Sequence, residues 1–287
     1  MRPKALILHA NGINRDLEAA NAFEEAGADA DIVHINQLRA GDAKWEDYQI
    51  LCIPGGFSYA DALGGGKLMA LEMNVFFSDQ VREFVESGKP VIGICNGFQA
   101  LVKAGILPDL PASRPAAAER KKPVAKGKVK IKTAPKAKAS LHAGRATLTF
   151  NESGRFECRW IYLKPVSQKC VWTRDLEDLV YCPVAHGEGR FLLGDPKALK
   201  TLEAQDQLAL AYVFPDGESA NGTYPDNPNG SFADIAGICN GKGNVLGLMP
   251  HPEDHIYEWQ HPRFGRGERG QQGLEIFLNG VDYALGM

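Results

Sequence analysis

Short, almost wholly apolar runs separated by amphipathic stretches make up the first third of the chain. Ala5-Leu6-Ile7-Leu8, Ala30-Asp31-Ile32-Val33-His34-Ile35, Tyr48-Gln49-Ile50-Leu51-Cys52-Ile53 and Val91-Ile92-Gly93-Ile94 read as four strands. Runs this brief and this apolar suit strands covered on both faces. Between them, Asp16 to Ala26, Leu68 to Val75 and Gln80 to Glu86 carry apolar residues at helical spacing, and Gly27 is a natural stop just past the first. Strands alternating with helices predict an α/β fold with a mainly parallel central sheet flanked by helices. Far downstream, Val245-Leu246-Gly247-Leu248-Met249 is one more apolar strand. In open α/β sheets the reactive groups gather beyond the carboxyl ends of the strands. Pro54-Gly55-Gly56-Phe57, Cys95 and His251 all fall at such ends.

The junction Gly93-Ile94-Cys95-Asn96-Gly97-Phe98-Gln99 carries the most chemical information. A buried strand meets a helical pattern (Gln99, Leu101, Val102, Ala104) at a tight Gly-x-Cys-x-Gly turn, the nucleophile-elbow arrangement with cysteine in place of serine. The flanking glycines leave room for a strained turn. A helix starting just after Cys95 directs free N–H groups and a partial positive charge at the sulfur, which favours the thiolate. Most cysteines are small core residues, so the elbow needs a partner. Met249-Pro250-His251-Pro252-Glu253 supplies one. His251 and Glu253 lie two apart, on one side of an extended stretch, and Pro252 keeps the segment out of a helix. A cysteine nucleophile needs a base, and the base needs a carboxylate to fix its tautomer. Acyl transfer also builds an oxyanion. The N–H of Gly56 or Phe57, paired with that of Asn96, is the expected donor set.

Composition narrows the setting. At 287 residues and 44% hydrophobic, the chain can bury a sizeable core, and its formal charge of −3 points to no partner. Six cysteines without a C-x-x-C pair argue against a zinc site and give no disulfide framework. His251 and His255 lie four apart, but Pro252 disfavours one continuous helix and no third ligand is evident, so no metal is expected. No apolar stretch has the length of a signal peptide or a membrane span. A cytoplasmic protein with reduced thiols is expected.

Gly93-x-Cys95-x-Gly97-x-Gln99, Pro54-Gly55-Gly56 and His251-Pro252-Glu253 resemble the class I, triad-type glutamine amidotransferases. Asn96 and Phe98 in the elbow, with Gly56-Phe57-Ser58-Tyr59, Pro183-Val184-Ala185-His186-Gly187-Glu188-Gly189-Arg190 and Asn229-Gly230-Ser231, make the chain similar, more narrowly, to the glutaminase subunits of phosphoribosylformylglycinamidine synthase in purine synthesis. The resemblance implies one flavodoxin-like domain over residues 1–287. It implies that Cys95 attacks the side-chain amide of L-glutamine, that His251 serves as base and then acid, and that Glu253 orients His251. It also implies a substrate pocket lined by Gln99, His186, Gly187, Gly189 and Arg190. Ammonia would pass to a separate synthase subunit, with a small bridging subunit in the complex. ATP and Mg²⁺ are expected on that synthase subunit and no cofactor on this chain, which has no ATP-binding signature. The alternatives are a glutaminase subunit of anthranilate, GMP or pyridoxal-phosphate synthase, or a cysteine hydrolase of the same architecture without glutaminase activity.

Three features depart from the family pattern. Ala60 stands in Ser58-Tyr59-Ala60-Asp61 where glycine is common, which predicts a loop of different shape because alanine takes positive φ less readily. Asp254 replaces the basic residue often found after His-Pro-Glu. The third is an Ala-, Lys- and Pro-rich insertion over 111–144. Between Ala112 and Ala146 eleven Lys or Arg face the single Glu119, leaving about −13 for the rest of the chain. Such a stretch cannot bury enough apolar surface to order itself, so a disordered basic insertion is expected. It contains no aromatic residues to stack bases, and nucleic acid is not expected as a partner.

Overall fold

The computed structural model of the chain describes residues 2–110 and 145–287. The expectation for the basic insertion at 111–144 lies outside these residues. In chain order, β1 (Lys4–His9), α1 (Asp16–Glu25), β2 (Asp29–His34), α2 (Ile35–Ala40) and β3 (Ile50–Ile53) are followed by α3 (Lys67–Phe76), α4 (Ser78–Glu86), β4 (Val91–Ile94) and α5 (Asn96–Ala104). The second part contains β5 (Ala146–Thr149), β6 (Glu157–Pro165), β7 (Val180–His186), β8 (Arg190–Leu193), α6 (Ala198–Ala204), β9 (Leu208–Val213), β10 (Ile235–Cys239), β11 (Val245–Leu248) and α7 (Gln272–Leu285).

Nine strands form one sheet in the order β2-β1-β3-β4-β11-β10-β9-β6-β7, and β5 and β8 pair separately. The first five positions are parallel, the flavodoxin-like order, and they include every strand expected from sequence. β3, β4 and β11 are buried at every position, as their unbroken apolar runs require. Right-handed crossovers place α1, which connects β1 outward to β2, and α3–α4, which connect β3 to β4 in the other direction, on opposite faces. α1 and α7 pack together through an edge-on contact of Phe23 and Phe277.

The remaining strands extend the sheet antiparallel. β7 alternates buried and half-buried residues, so its signal is weaker than that of the central strands. This half curls back over the carboxyl edge of the parallel half. Three hydrogen bonds or contacts tie β7 across it: His251 N–H to the Pro183 carbonyl at 2.8 Å, Cys95 Sγ to the Ala185 carbonyl at 3.9 Å, and His255 Nδ1 to the Tyr181 carbonyl at 2.5 Å. The last of these shows that His255 faces β7 backbone. Beneath the closure lies α5, buried at every position from Asn96 to Val102, with Phe98 stacked on Phe191 of β8. Among the described residues no helix is long and apolar enough to cross a membrane.

Candidate active site

Because β4 lies between β3 and β11, the loops that leave these three strands are neighbours. Cys95 continues the ladder by donating its N–H to the Leu248 carbonyl at 2.8 Å, and its own carbonyl accepts the first helical bond, from Gln99. Between those two bonds the backbone turns through φ 50°, ψ −102°. A non-glycine residue held there is strained, and the surrounding packing must enforce it. The flanking glycines show how. A β-carbon at Gly97 would stand 1.8 Å from the Ile53 carbonyl oxygen, and one at Gly93 would stand 2.5 Å from Leu101 Cδ1. Helix α5 therefore approaches the sheet more closely than any side chain there would permit.

His251 and Glu253 are buried to 2% and 0% exposure, and His251 Nδ1 lies 2.7 Å from Glu253 Oε1. Burial alone would lower the affinity of the imidazole for a proton. The Glu253 carboxylate and the Cys95 sulfur outweigh it and hold the His251 pKa well above its ordinary value. His251 Nε2 has no formed hydrogen bond among the described residues, and the Cys95 sulfur leans toward the Ala185 carbonyl instead. The sulfur is close enough to act electrostatically while the contact stays looser than a full hydrogen bond, which is common before substrate tightens such a site. Gly55 makes room for the ring: a β-carbon there would stand 2.7 Å from His251 Cε1.

The backbone donors require one correction. The Phe57 N–H donates to the Gly12 carbonyl at 2.9 Å, so it is occupied and leaves the expected donor set. The N–H groups of Gly56 and Asn96 have no acceptor among the described residues. That of Asn96 is one of the orphan donors of a helix N-terminus. Gly56 takes φ 136° and packs against Ile13 and Asn14, where a side chain would not fit. The loop after β1 therefore shapes the loop after β3, a role that nothing in the Ala10–Asn14 stretch signals.

Asn96 contributes more than its N–H. Its side-chain carbonyl accepts from the Ser58 N–H at 3.2 Å and hydroxyl at 2.5 Å, while its amide donates to Asp61 Oδ1 at 2.8 Å and Gln99 Oε1 at 2.9 Å. These bonds hold a left-handed turn in which Tyr59, Ala60 and Asp61 take φ of 55°, 56° and 51°. Alanine at position 60 adopts this strained left-handed conformation, and the bonds at Ser58 and Asp61 offset its cost. Ala60 is exposed. Ala60→Gly is accordingly expected to stabilise the protein by about 0.5–1 kcal/mol, because relief of the Cβ clash exceeds the added unfolded-state entropy. A denaturant midpoint equal to or below the wild-type value would count against this.

The residues expected in the pocket separate into two groups. Gln99 Nε2 donates to the Glu188 carbonyl at 2.8 Å, which ties α5 to the His186-to-Arg190 segment. The Asn151 amide group donates to the His186 carbonyl and accepts from the Gly189 N–H, and the Asn151 N–H donates to the Gly187 carbonyl. His186 is buried, with Nε2 3.1 Å from the Asn229 amide nitrogen, and burial followed by the nearby His251 lowers its pKa to about 3. It is thus a neutral imidazole at physiological pH. The Asn229 amide nitrogen also donates to the Tyr212 hydroxyl at 3.0 Å. Arg190 turns elsewhere, donating to the Gly230 carbonyl and to Glu152 Oε1 at 2.8 Å. Asn151 and Tyr212 were not read from sequence, because contacts to backbone and to an amide leave no spacing pattern. The Gly64-Gly65 segment is pinned as well, its Gly65 N–H donating to Glu188 Oε2 and its carbonyl accepting from Lys103.

A cysteine on a strained turn, a buried histidine–carboxylate pair and two unengaged backbone N–H groups are the parts needed for acyl transfer through a thioester. The comparisons with known proteins agree with this chemistry. Residues 2–284 match the model of the CobB/CobQ-like glutamine amidotransferase domain. The phosphoribosylformylglycinamidine synthase subunit PurQ of Treponema denticola is 52% identical, over 99% of this chain and 100% of that one. The subunit of the same name from Dehalococcoides mccartyi is 43% identical over 98% and 97%. Among solved structures, PurLQS from Thermotoga maritima superposes with a TM-score of 0.69 at 28% identity, covering 99% of both chains. The chain belongs to the CobB/CobQ-like glutamine amidotransferases and, within them, to the PurQ subunits of phosphoribosylformylglycinamidine synthase.

Proposed function

We propose that this chain hydrolyses L-glutamine to glutamate and ammonia through Cys95, His251 and Glu253. The ammonia passes to a synthase subunit that converts formylglycinamide ribonucleotide to formylglycinamidine ribonucleotide. The observation that carries the reading is the buried 2.7 Å contact of His251 with Glu253 beside the strained Cys95 turn. Cys95 Sγ attacks the side-chain carbonyl carbon. The Gly56 and Asn96 N–H groups stabilise the oxyanion, and His251 delivers a proton to the departing ammonia. Water, deprotonated by His251, then attacks the thioester, releasing glutamate and regenerating the thiol. Glu253 holds the imidazole by Nδ1, leaving Nε2 for these transfers. Gln99 and the Gly187 and Gly189 backbone, anchored by Asn151, form the wall around the amino-acid end of glutamine, with His186 as a neutral neighbour. Arg190 braces this wall through Glu152 and the Gly230 carbonyl.

ATP and Mg²⁺ belong to the synthase partner in this reading, and a small third subunit joins the two. The name PurLQS of the Thermotoga maritima structure supports an assembly of this kind. A cytoplasmic site, where thiols stay reduced, accords with six free cysteines.

A glutamine analogue bearing an electrophilic carbon tests the nucleophile directly. It is expected to alkylate Cys95, which is only 5% exposed, in preference to the exposed Cys158, and free glutamine should protect Cys95. Peptide mass mapping that finds the label on another cysteine would reassign the nucleophile.

A further inference from the structure

Glu253 is followed by a second acid, Asp254, in the same tight turn (Pro252–Asp254). Both are largely removed from water: Glu253 is fully buried and the Asp254 side chain is 18% exposed. Burial, followed by the charge of Glu253, pushes the Asp254 carboxyl up to about 6. Two adjacent buried carboxylates repel, and such a pair relieves the repulsion by protonating one member. Left unbalanced, the Asp254 charge would bear directly on Glu253, the carboxylate that meets His251 Nδ1 and stabilises the imidazolium.

Arg15 lies against this pair from the opposite end of the sequence. It occupies the position just before α1, and its Nη1 is 3.2 Å from both Asp254 Oδ1 and Glu18 Oε1. Its methylene stem shares a floor with His251: a β-carbon on Gly55 would stand 2.7 Å from His251 Cε1 and 3.5 Å from Arg15 Cγ. Although burial alone would lower the guanidinium pKa, Asp254, Glu18 and Glu253 together raise it, and its charge in turn acts on Asp254. The charged groups acting on Asp254 are Glu253, His251, Arg15 and Glu18. His251 carries the mechanism's own proton, which leaves Arg15 as the permanent cation among them.

We propose that Arg15 is a positioning residue, balancing the Asp254 charge on the turn that carries Glu253 so that Glu253 can hold and stabilise His251. It touches neither substrate nor the sulfur, and it acts through the turn that carries Glu253. The inference rests on the glutaminase reading given above.

The test measures glutamine hydrolysis by the full chain with its synthase partner as a function of pH. Arg15→Gln keeps most of the stem and removes the charge. It is expected to lower kcat about tenfold at neutral pH, with KM for glutamine within about twofold, because charge at the turn is felt in the transition state and not in substrate binding. The acid limb of kcat should move to higher pH, since removing a cation makes nearby acids harder to ionise. Arg15→Lys should retain most of the rate. Asp254→Asn placed in the Arg15→Gln background removes the repulsion and should restore most of both the rate and the acid limb. A wild-type kcat and acid limb in Arg15→Gln overturns the inference. So does a loss that Asp254→Asn fails to recover, because Arg15 would then act by packing alone. Thermal melts of each variant identify any that are misfolded, and the Arg15→Lys comparison stands if Arg15→Gln is one of them. Cys95→Ser in the same assay separates the two levels: turnover that survives it defeats the glutaminase assignment, whatever the Arg15 series does.

Discussion

Cys95→Ser is expected to abolish glutamine-dependent synthesis by the assembled complex, a loss of roughly a thousandfold or more, while synthesis from added ammonia persists. The reason is local. The turn at Cys95 and the His251 beside it suit a sulfur nucleophile, and a hydroxyl is far less acidic and a weaker nucleophile at neutral pH. Ammonia is consumed on another subunit, so that half of the reaction does not depend on the sulfur. The substitution replaces one small buried atom, and nothing in the ladder from Cys95 N–H to Leu248 or in the first bond of α5 is removed. Steady-state rates with glutamine and with ammonium salt, on the same preparation, make the comparison. Loss of both activities in a folded, assembled variant would contradict the division of labour proposed here.

His251→Ala is expected to have the second largest effect, again on the order of a thousandfold in kcat, because the sulfur loses its base and the departing ammonia its acid. Glu253→Gln should cost less, about ten- to a hundredfold, since an amide can still meet Nδ1 but carries no charge to stabilise the imidazolium. The sign of the pH effect follows from the structure. Glu253 is among the groups that hold the His251 pKa well above its ordinary value, so removing its charge lets burial pull that value down. Measured by NMR on labelled histidine, the His251 titration should therefore move to lower pH in Glu253→Gln. Equal and small effects from both substitutions would make His251 an ordinary buried histidine of the loop after β11.

Much of the parallel half of the fold was legible because buried parallel strands need unbroken apolar runs, and Ala5–Leu8, Ile50–Ile53, Val91–Ile94 and Val245–Leu248 are such runs. β2 ends one residue earlier than its apolar pattern suggests, because Ile35 starts α2 and buries its side chain from a helix. The antiparallel half was not read. In β6 and β7 half-buried positions interrupt the pattern, and β6 takes its second partner, β9, from further along the chain.

At the site, residue types with their own chemistry and rigid spacing could be named in advance. Cys95 between two glycines and His251 two residues before Glu253 are of this kind, and the structure brings them together on neighbouring strands. The α/β class, the elbow and the identity of the reactive side chains were therefore readable from residue order, since each depends on contacts within a few residues. Which backbone N–H groups remain open is settled by folding, because the Phe57 N–H is taken by Gly12 from another loop. Only the tertiary structure gave Asn96 its hold on Ser58 and Asp61, and set Arg15 against Asp254 across most of the chain. Hydrogen bonds and charge pairs of this sort depend on distance in space, and nothing in local spacing encodes them until the sheet has folded and brought its loops together.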